Sequence, residues 1–238
     1  MNIYKRQTNL VKPDQLDFPI LLIGCGGTGS WAGIALAKMG CTNIALVDFD
    51  EVEPHNIASQ TYRIIDFATS IKKVYTLKSQ MQEMNDQHNI NFRAFSETFE
   101  EFFEKSQKHF KPITLPPSEP YPYKFPVVIC AIDSMDERIK LWDIIKKRND
   151  VELFLDPRIG GELLRLYAVD PLDNKAVAFY ESQLYPSSKA DPLPCGSRQI
   201  VYTTMFTGAL IANYVKKYAK KEPIRAETIM DFSTMNLI

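Results

Sequence analysis

Several stretches of this sequence carry residue types suited to chemistry on phosphates and acyl groups. G-C-G-G-T-G sets Gly24, Gly26, Gly27 and Gly29 in one short loop, where missing side chains let the backbone and the start of a following helix approach an anion. An acid, Asp48, follows about 20 residues on, the spacing at which a carboxylate meets ribose hydroxyls. The run V-D-F-D-E-V-E-P-H-N-I-A-S-Q adds Asp50, Glu51, Ser59 and the amides Asn56 and Gln60. Asp133 ends the apolar run P-V-V-I-C-A-I, and the carboxyl end of a parallel strand is where α/β ligands sit. Lys72 and Lys73 offer charge for phosphates, or else form the solvated face of a basic helix, S-I-K-K-V-Y-T-L-K. Cys195, in P-L-P-C-G-S-R, precedes a long helical pattern and lies near Arg198; that setting lowers a thiol pKa and makes a nucleophile. The other reading of Cys195 is a small buried residue.

These residues need a scaffold that brings them to one edge. P-I-L-L-I-G reads as a buried strand closed by glycine, residues 28–39 as a helix stopped by Gly40, and residues 43–48 as the next strand. Strand, glycine turn, helix and strand in about 30 residues make a βαβ unit with parallel strands. Further on, the spacing predicts a helix over 69–84, a strand over 91–96, a short helix in E-E-F-F-E-K-S-Q-K-H-F, a strand over 126–132 and a helix over 134–147. Strands are expected at 153–156, 163–170 and 176–180, a long helix at 199–221 and a last strand in E-T-I-M-D-F. The proline-dense stretch 112–126 reads as an irregular surface connection. The expected fold class is α/β: a Rossmann-like open sheet, parallel in the amino-terminal half and mixed or antiparallel in the carboxyl-terminal half. No repeat or linker divides the chain. The expected organisation is one domain over 1–238, with a nucleotide-binding half over about 18–134 and a second half over about 151–238 that includes a crossover loop at 181–195.

Composition narrows the function classes. The 238 residues are 45% apolar, and 28 basic side chains face 29 acidic ones, so there is no broad charge footprint for nucleic acid or a membrane surface. Cys25, Cys41, Cys130 and Cys195 form no C-x-x-C pair, which argues against a zinc ribbon or a disulfide scaffold and for reduced thiols. No apolar run reaches the roughly 18 residues of a membrane span, and M-N-I-Y-K-R-Q-T-N-L lacks the apolar core of a signal peptide; a cytoplasmic protein is expected. His55, His88 and His109 do not fall at predicted strand ends, so the glycine loop gains little support as part of an NAD-dependent oxidoreductase. That reading stays open.

Taken together, G-C-G-G-T-G-S, V-D-F-D-E-V-E-P-H-N-I-A-S-Q, the helix with Lys72 and Lys73, and C-A-I-D-S-M-D-E-R resemble the ThiF/MoeB/HesA adenylyltransferases, bacterial relatives of ubiquitin-activating enzymes. The likeness runs from about Pro19 to the end of the chain. It implies ATP and magnesium, adenylation of the carboxyl-terminal glycine of a small ubiquitin-like or sulfur-carrier protein, and a homodimer. Carried onto this chain, it gives Gly24 to Gly29 as the glycine loop, Asp48 as the ribose ligand, and Asn56 and Gln60 as parts of an ATP-facing N-x-x-R-Q motif. It gives Lys73, with Lys72 one residue away, as the phosphate lysine, and Asp133 as the magnesium aspartate, followed by Arg138 in a D-x-x-x-x-R pattern. Cys195 matches a cysteine that some members use to take the activated acyl group and others do not.

Two departures stand out. Ser59 occupies the place of the motif's arginine, and losing one charge-assisted hydrogen bond costs about 1.5–3 kcal/mol. Replacement cations are Arg63 and Arg6, the latter because Y-K-R-Q resembles an amino-terminal motif whose arginine reaches the partner subunit's ATP. The family's paired C-x-x-C motifs are also missing, so no structural zinc is expected.

Overall fold

The computed structural model describes residues 3–85, 89–108, 124–189 and 199–237. Eight strands form one sheet in the order β3-β2-β1-β4-β5-β6-β7-β8. Strands β1 (Ile20–Ile23), β2 (Asn43–Val47), β3 (Asn91–Phe95), β4 (Val127–Cys130) and β5 (Leu153–Gly160) run parallel. From there β6 (Leu163–Val169), β7 (Glu227–Asp231) and β8 (Asn236–Leu237) continue the sheet antiparallel. The expected fold class is therefore the observed one.

Strands β1 and β4 are buried along their whole length, as central parallel strands covered on both faces should be. Their side chains alternate between two cores. Ile20, Leu22, Val127 and Ile129 face α1 (Gly27–Met39), α3 (Lys73–Glu83) and α7 (Val201–Ala219), while Leu21, Ile23, Val128 and Cys130 face α4 (Phe99–Lys108), α5 (Met135–Ile145) and α6 (Asn174–Glu181). Burying each apolar side chain stabilises the fold by about 1.5–3 kcal/mol.

Strand order is what creates the site. From β1 the chain moves outward through β2 and β3, then returns to place β4 on the other side of β1. The connections leaving β1 and β4 therefore diverge, and such a switch point leaves a crevice at the carboxyl ends of the strands.

Two segments differ from expectation. Residues 69–84 are not one helix: α2 (Ile64–Ala68) ends before Thr69, and α3 begins only at Lys73. Ser70 takes a left-handed conformation, and the backbone at 71–72 is held extended by the Val52 N–H donating to the Ile71 carbonyl and a bridge between Glu51 and Lys72. Residues 176–180 are helix α6 rather than a strand, because the Asp173 side chain caps the first turn through the Lys175 N–H. Ala176, Val177 and Tyr180 then meet the core at helical spacing. The proline-dense stretch 112–126 lies almost wholly outside the described residues.

Candidate nucleotide-binding site

The glycine loop leaves β1 through Gly24, whose φ of +89° suits glycine; a Cβ there would come within 2.4 Å of the Ala131 carbonyl oxygen on the β4 side. A Cβ on Gly29 would lie 1.9 Å from the Gly24 carbonyl oxygen, so the first turn of α1 folds directly back onto the loop. Gly26 is the exception: nothing lies within 4 Å of its Cβ position. Its backbone faces open space at the amino end of α1, the place where unpaired N–H groups and the helix dipole attract an anion. From beneath, the Tyr62 hydroxyl donates to the Cys25 carbonyl at 2.7 Å. The Cys25 thiol is wholly buried, and burial, then the Asp48 charge, push its pKa well up; it is a packing residue.

Asp48 ties the end of β2 to this loop. Its Oδ2 accepts from the Cys25 N–H at 2.6 Å and its Oδ1 from the Asp50 N–H at 2.7 Å. Burial raises the pKa of this carboxyl, against the lowering effect of both N–H donors and of Lys73. Each oxygen keeps acceptor capacity, since a carboxylate offers about four lone-pair sites, so Asp48 fits a ribose.

Of the two lysines, Lys73 points into the site and Lys72 does not. Lys73 is buried at the first position of α3, and its Nζ lies 2.8 Å from Asp50 Oδ2. Lys72 is its N-cap and turns outward to Glu51 at 3.1 Å and to the Phe49 carbonyl. Asp50, which the sequence shows only as one of three acids, is thus the partner that orients Lys73. Its position two residues after Asp48 is the available signal.

Asp133 follows β4 at the other wall of the crevice, exposed and without a hydrogen-bond or ion-pair partner among the described residues. Its turn is braced from behind by Arg138, which donates to the Ile132 carbonyl at 2.5 Å and to Asp156 Oδ1 at 2.6 Å. Asp156 is 0% exposed and also accepts from Arg158 Nε and the Tyr180 hydroxyl, each at 2.8 Å. Burial by itself would lower the Arg138 pKa; the charge and hydrogen bond of Asp156, together with Cys130 and Tyr180, outweigh it and the net shift is upward.

Asn56 and Gln60 are both buried. Asn56 Oδ1 accepts from the Glu53 N–H at 2.9 Å and so shapes its own turn. Gln60 Oε1 has no hydrogen-bond partner among the described residues, an orphan that a ligand donor could satisfy. Ser59 is buried too, its carbonyl taking Trp31 Nε1 at 3.0 Å and the Thr204 hydroxyl at 2.8 Å, which locks this loop to α1 and α7.

Neither replacement cation is brought to the glycine loop. Arg63 is forked onto Asp66, Nη2 to Oδ1 at 3.0 Å and Nε to Oδ2 at 3.2 Å. Arg6 lines a surface depression with Ile3, Tyr4, Gln7, Lys38 and Met84. Lys38 is in the last turn of α1, and a helix of this length separates its ends by roughly 20 Å. Arg6 therefore lies at the end of α1 remote from the glycine loop. Cys195 and Arg198 lie outside the described residues, as do His88 and His109.

Helices α1 and α7 run parallel: Gly27 meets Thr204, and Trp31 meets Gly208 one turn later on both helices. Two amino ends, with their partial positive charge, therefore lie together at the glycine loop, which the Asp48 carboxylate reaches through the Cys25 N–H. Such an arrangement suits a phosphate chain with a ribose at one end and a divalent cation at the other. Among the described residues no group of three or more His, Cys, Asp or Glu could hold a metal. Magnesium fits only as Asp133 would hold it, with phosphate oxygens and water completing the shell.

Comparison with known proteins decides the family. Residues 4–236 match the ThiF family. The chain belongs to the ThiF family. Within it, 88 residues are 33% identical to the tRNA threonylcarbamoyladenosine dehydratase of Bacillus subtilis (strain 168), covering 36% of this chain and 34% of that protein. Another 32% identity over 71 residues relates it to the adenylyltransferase and sulfurtransferase MOCS3 of Aedes aegypti, covering 30% of this chain and 16% of that protein. These matches span about a third or less of either relative's length. Among solved structures, E. coli MccB with AMPCPP and MccA superposes with a TM-score of 0.71 at 16% identity, covering 100% of this chain and 70% of that one. PaaA superposes with a TM-score of 0.69 at 17% identity, covering 99% of this chain and 80% of that one. At such identities the likeness speaks for the fold alone. Among the described residues of this ThiF-family chain, no helix is long and apolar enough to cross a membrane.

Proposed function

We propose that this ThiF-family chain is an ATP-dependent adenylyltransferase that activates the carboxyl-terminal glycine of a small ubiquitin-like or sulfur-carrier protein, as a homodimer. The observation that carries the reading is the convergence, at the β1/β4 switch point, of the open Gly26 backbone, the Asp50-oriented Lys73 and the unpaired Asp133. In the proposed reaction a carboxylate oxygen of the carrier attacks the α-phosphorus of ATP, the bond to the bridging oxygen of the β-phosphate breaks, and pyrophosphate leaves. Negative charge grows on the phosphates as this occurs. Lys73 and the amino end of α1 would stabilise that charge, Asp48 would orient the ribose, and Asp133 would hold magnesium, which supplies Lewis-acid charge when bound. Names among the relatives support the class, since MOCS3 is an adenylyltransferase and one MccB structure, 17% identical with a TM-score of 0.68, contains ATP.

A second reading, a partner-recruiting subunit that binds nucleotide without adenylating, is favoured by Ser59. That residue is buried and uncharged, while Arg63 is spent on Asp66 and Arg6 is remote from this chain's loop. Titration with MgATP and with NAD, followed by a search for acyl adenylate on a co-purified small protein ending in glycine, separates the readings. MgATP binding with adenylate supports the enzyme, and MgATP binding with no adenylate on a verified partner supports the recruiter. NAD binding with no ATP binding refutes both and leaves the oxidoreductase.

A further inference from the structure

The side chain of Gln199 lies directly on the glycine loop. A Cβ on Gly27 would come within 2.2 Å of Gln199 Oε1 and 2.9 Å of Thr204 Cγ2, so the Gln199 side chain and the first turn of α7 lie against Gly27. Gln199 is nevertheless exposed as a residue, with the end of its side chain against the first turn of α1, where a purely structural wedge would be buried. Its backbone is fixed independently. Gln199 bridges to Gly161 in the β5–β6 turn, and three residues on, at the start of α7, the Tyr202 hydroxyl donates to Glu162 in the same turn. Among the described residues no hydrogen bond engages the Gln199 carboxamide with another polar group, and it lies against Gly27, the residue that follows the open Gly26 in the loop.

From this geometry we infer that Gln199 is a substrate-contacting residue that faces the phosphates of the bound nucleotide and sets affinity through the charge at position 199. The inference rests on the ATP-binding reading given above and goes beyond it. The carboxamide offers N–H donors to phosphate oxygens where an acid would repel them, and a lysine there would supply the cation that Ser59 does not. Thr203 and Thr204 behind it are buried and bonded back to the start of α7, so the side chain at 199 is presented from a fixed base.

The test measures equilibrium dissociation constants of MgATP and of adenosine for the full chain and for Gln199→Glu and Gln199→Lys, with thermal midpoints recorded for each. Exposure of residue 199 predicts unchanged midpoints. The expected result is weaker MgATP binding by Gln199→Glu and tighter binding by Gln199→Lys, about tenfold or more apart at low salt and converging as salt rises, with adenosine bound equally by all three. Equal MgATP affinities across the three proteins would overturn this role while leaving the ATP site standing, as would a parallel shift in adenosine binding. Failure of the unaltered chain to bind MgATP would refute the ATP site and this role together.

Discussion

Two glycines in one loop should respond to the same methyl group in opposite ways. At Gly29 an added Cβ would lie 1.9 Å from the Gly24 carbonyl oxygen, a backbone atom with no rotamer to retreat into. Overpacking typically costs about 1–3 kcal/mol, and this obstacle calls for the upper end. Alanine returns up to about 1 kcal/mol of helix propensity, so Gly29→Ala should lose about 2 kcal/mol net. For a chain of this size that lowers the thermal midpoint by about 4–8 °C. At Gly26 the Cβ position is open and φ is −74°; alanine as an N-cap costs no more than about 1 kcal/mol. Gly26→Ala should therefore melt within about 4 °C of the unaltered protein. Its methyl would fill the space through which a phosphate approaches, and MgATP binding should weaken by about tenfold or more, equivalent to about 1.4 kcal/mol. Calorimetric melting and MgATP titration of both variants provide the assay. A Gly26→Ala protein that binds MgATP as tightly as the unaltered chain would refute the phosphate path, and an unchanged melting point for Gly29→Ala would refute the close approach.

Other expectations concern the scaffold and the thiol. Asp156→Asn removes the charge facing the buried Arg138 and the half-buried Arg158, and breaking such a pair costs about 3–5 kcal/mol; urea unfolding should show that loss, and a change below about 1 kcal/mol would mean that solvent reaches the cluster. Burial works to raise the Asp66 pKa, but the Arg63 guanidinium and N–H outweigh it and lower it. A lowered carboxyl pKa contributes stability that is complete above the unfolded value of about 3.9 and lost as pH falls below it. Melting of the unaltered chain should therefore fall more steeply below about pH 4 than that of Asp66→Asn, and parallel curves would contradict the pairing. Cys195→Ala should leave adenylation intact and remove any thioester, detected by mass spectrometry under non-reducing conditions; a persisting thioester would assign the acyl group to another thiol.

The sheet is legible in the sequence because its strands are short apolar runs closed by glycine or aspartate, with a helix period between them. Gly40, with φ +102°, ends α1 where the pattern stops. What escapes a local reading depends on neighbours distant in sequence. The extended backbone at Lys72 is imposed by Glu51, across 21 residues, and no local propensity reveals it. Helix α6 resembles a strand because A-V-A-F-Y is β-prone in isolation, while the cap that fixes it is a single acid, Asp173. Of the proposed site, the glycines, Asp48 and Asp133 are suggested by motif and strand end, and Lys73 by the family resemblance. The contacts of Asp50 with Lys73 and of Gln199 with Gly27 are not legible, since they arise only when the end of β2 meets α3 and when α7 docks on α1.

The most direct test of the central claim is pyrophosphate–ATP exchange in the presence of the co-purified carrier, comparing the unaltered chain with Lys73→Ala. Lys73 is buried beside the loop and held by Asp50 at 2.8 Å, and removing a charge-assisted hydrogen bond from the transition state costs about 1.5–3 kcal/mol, or roughly 10- to 150-fold in rate. The account predicts carrier-dependent exchange that falls by that factor in Lys73→Ala. Exchange that persists unchanged in the variant, or no exchange with a verified carrier, would contradict it.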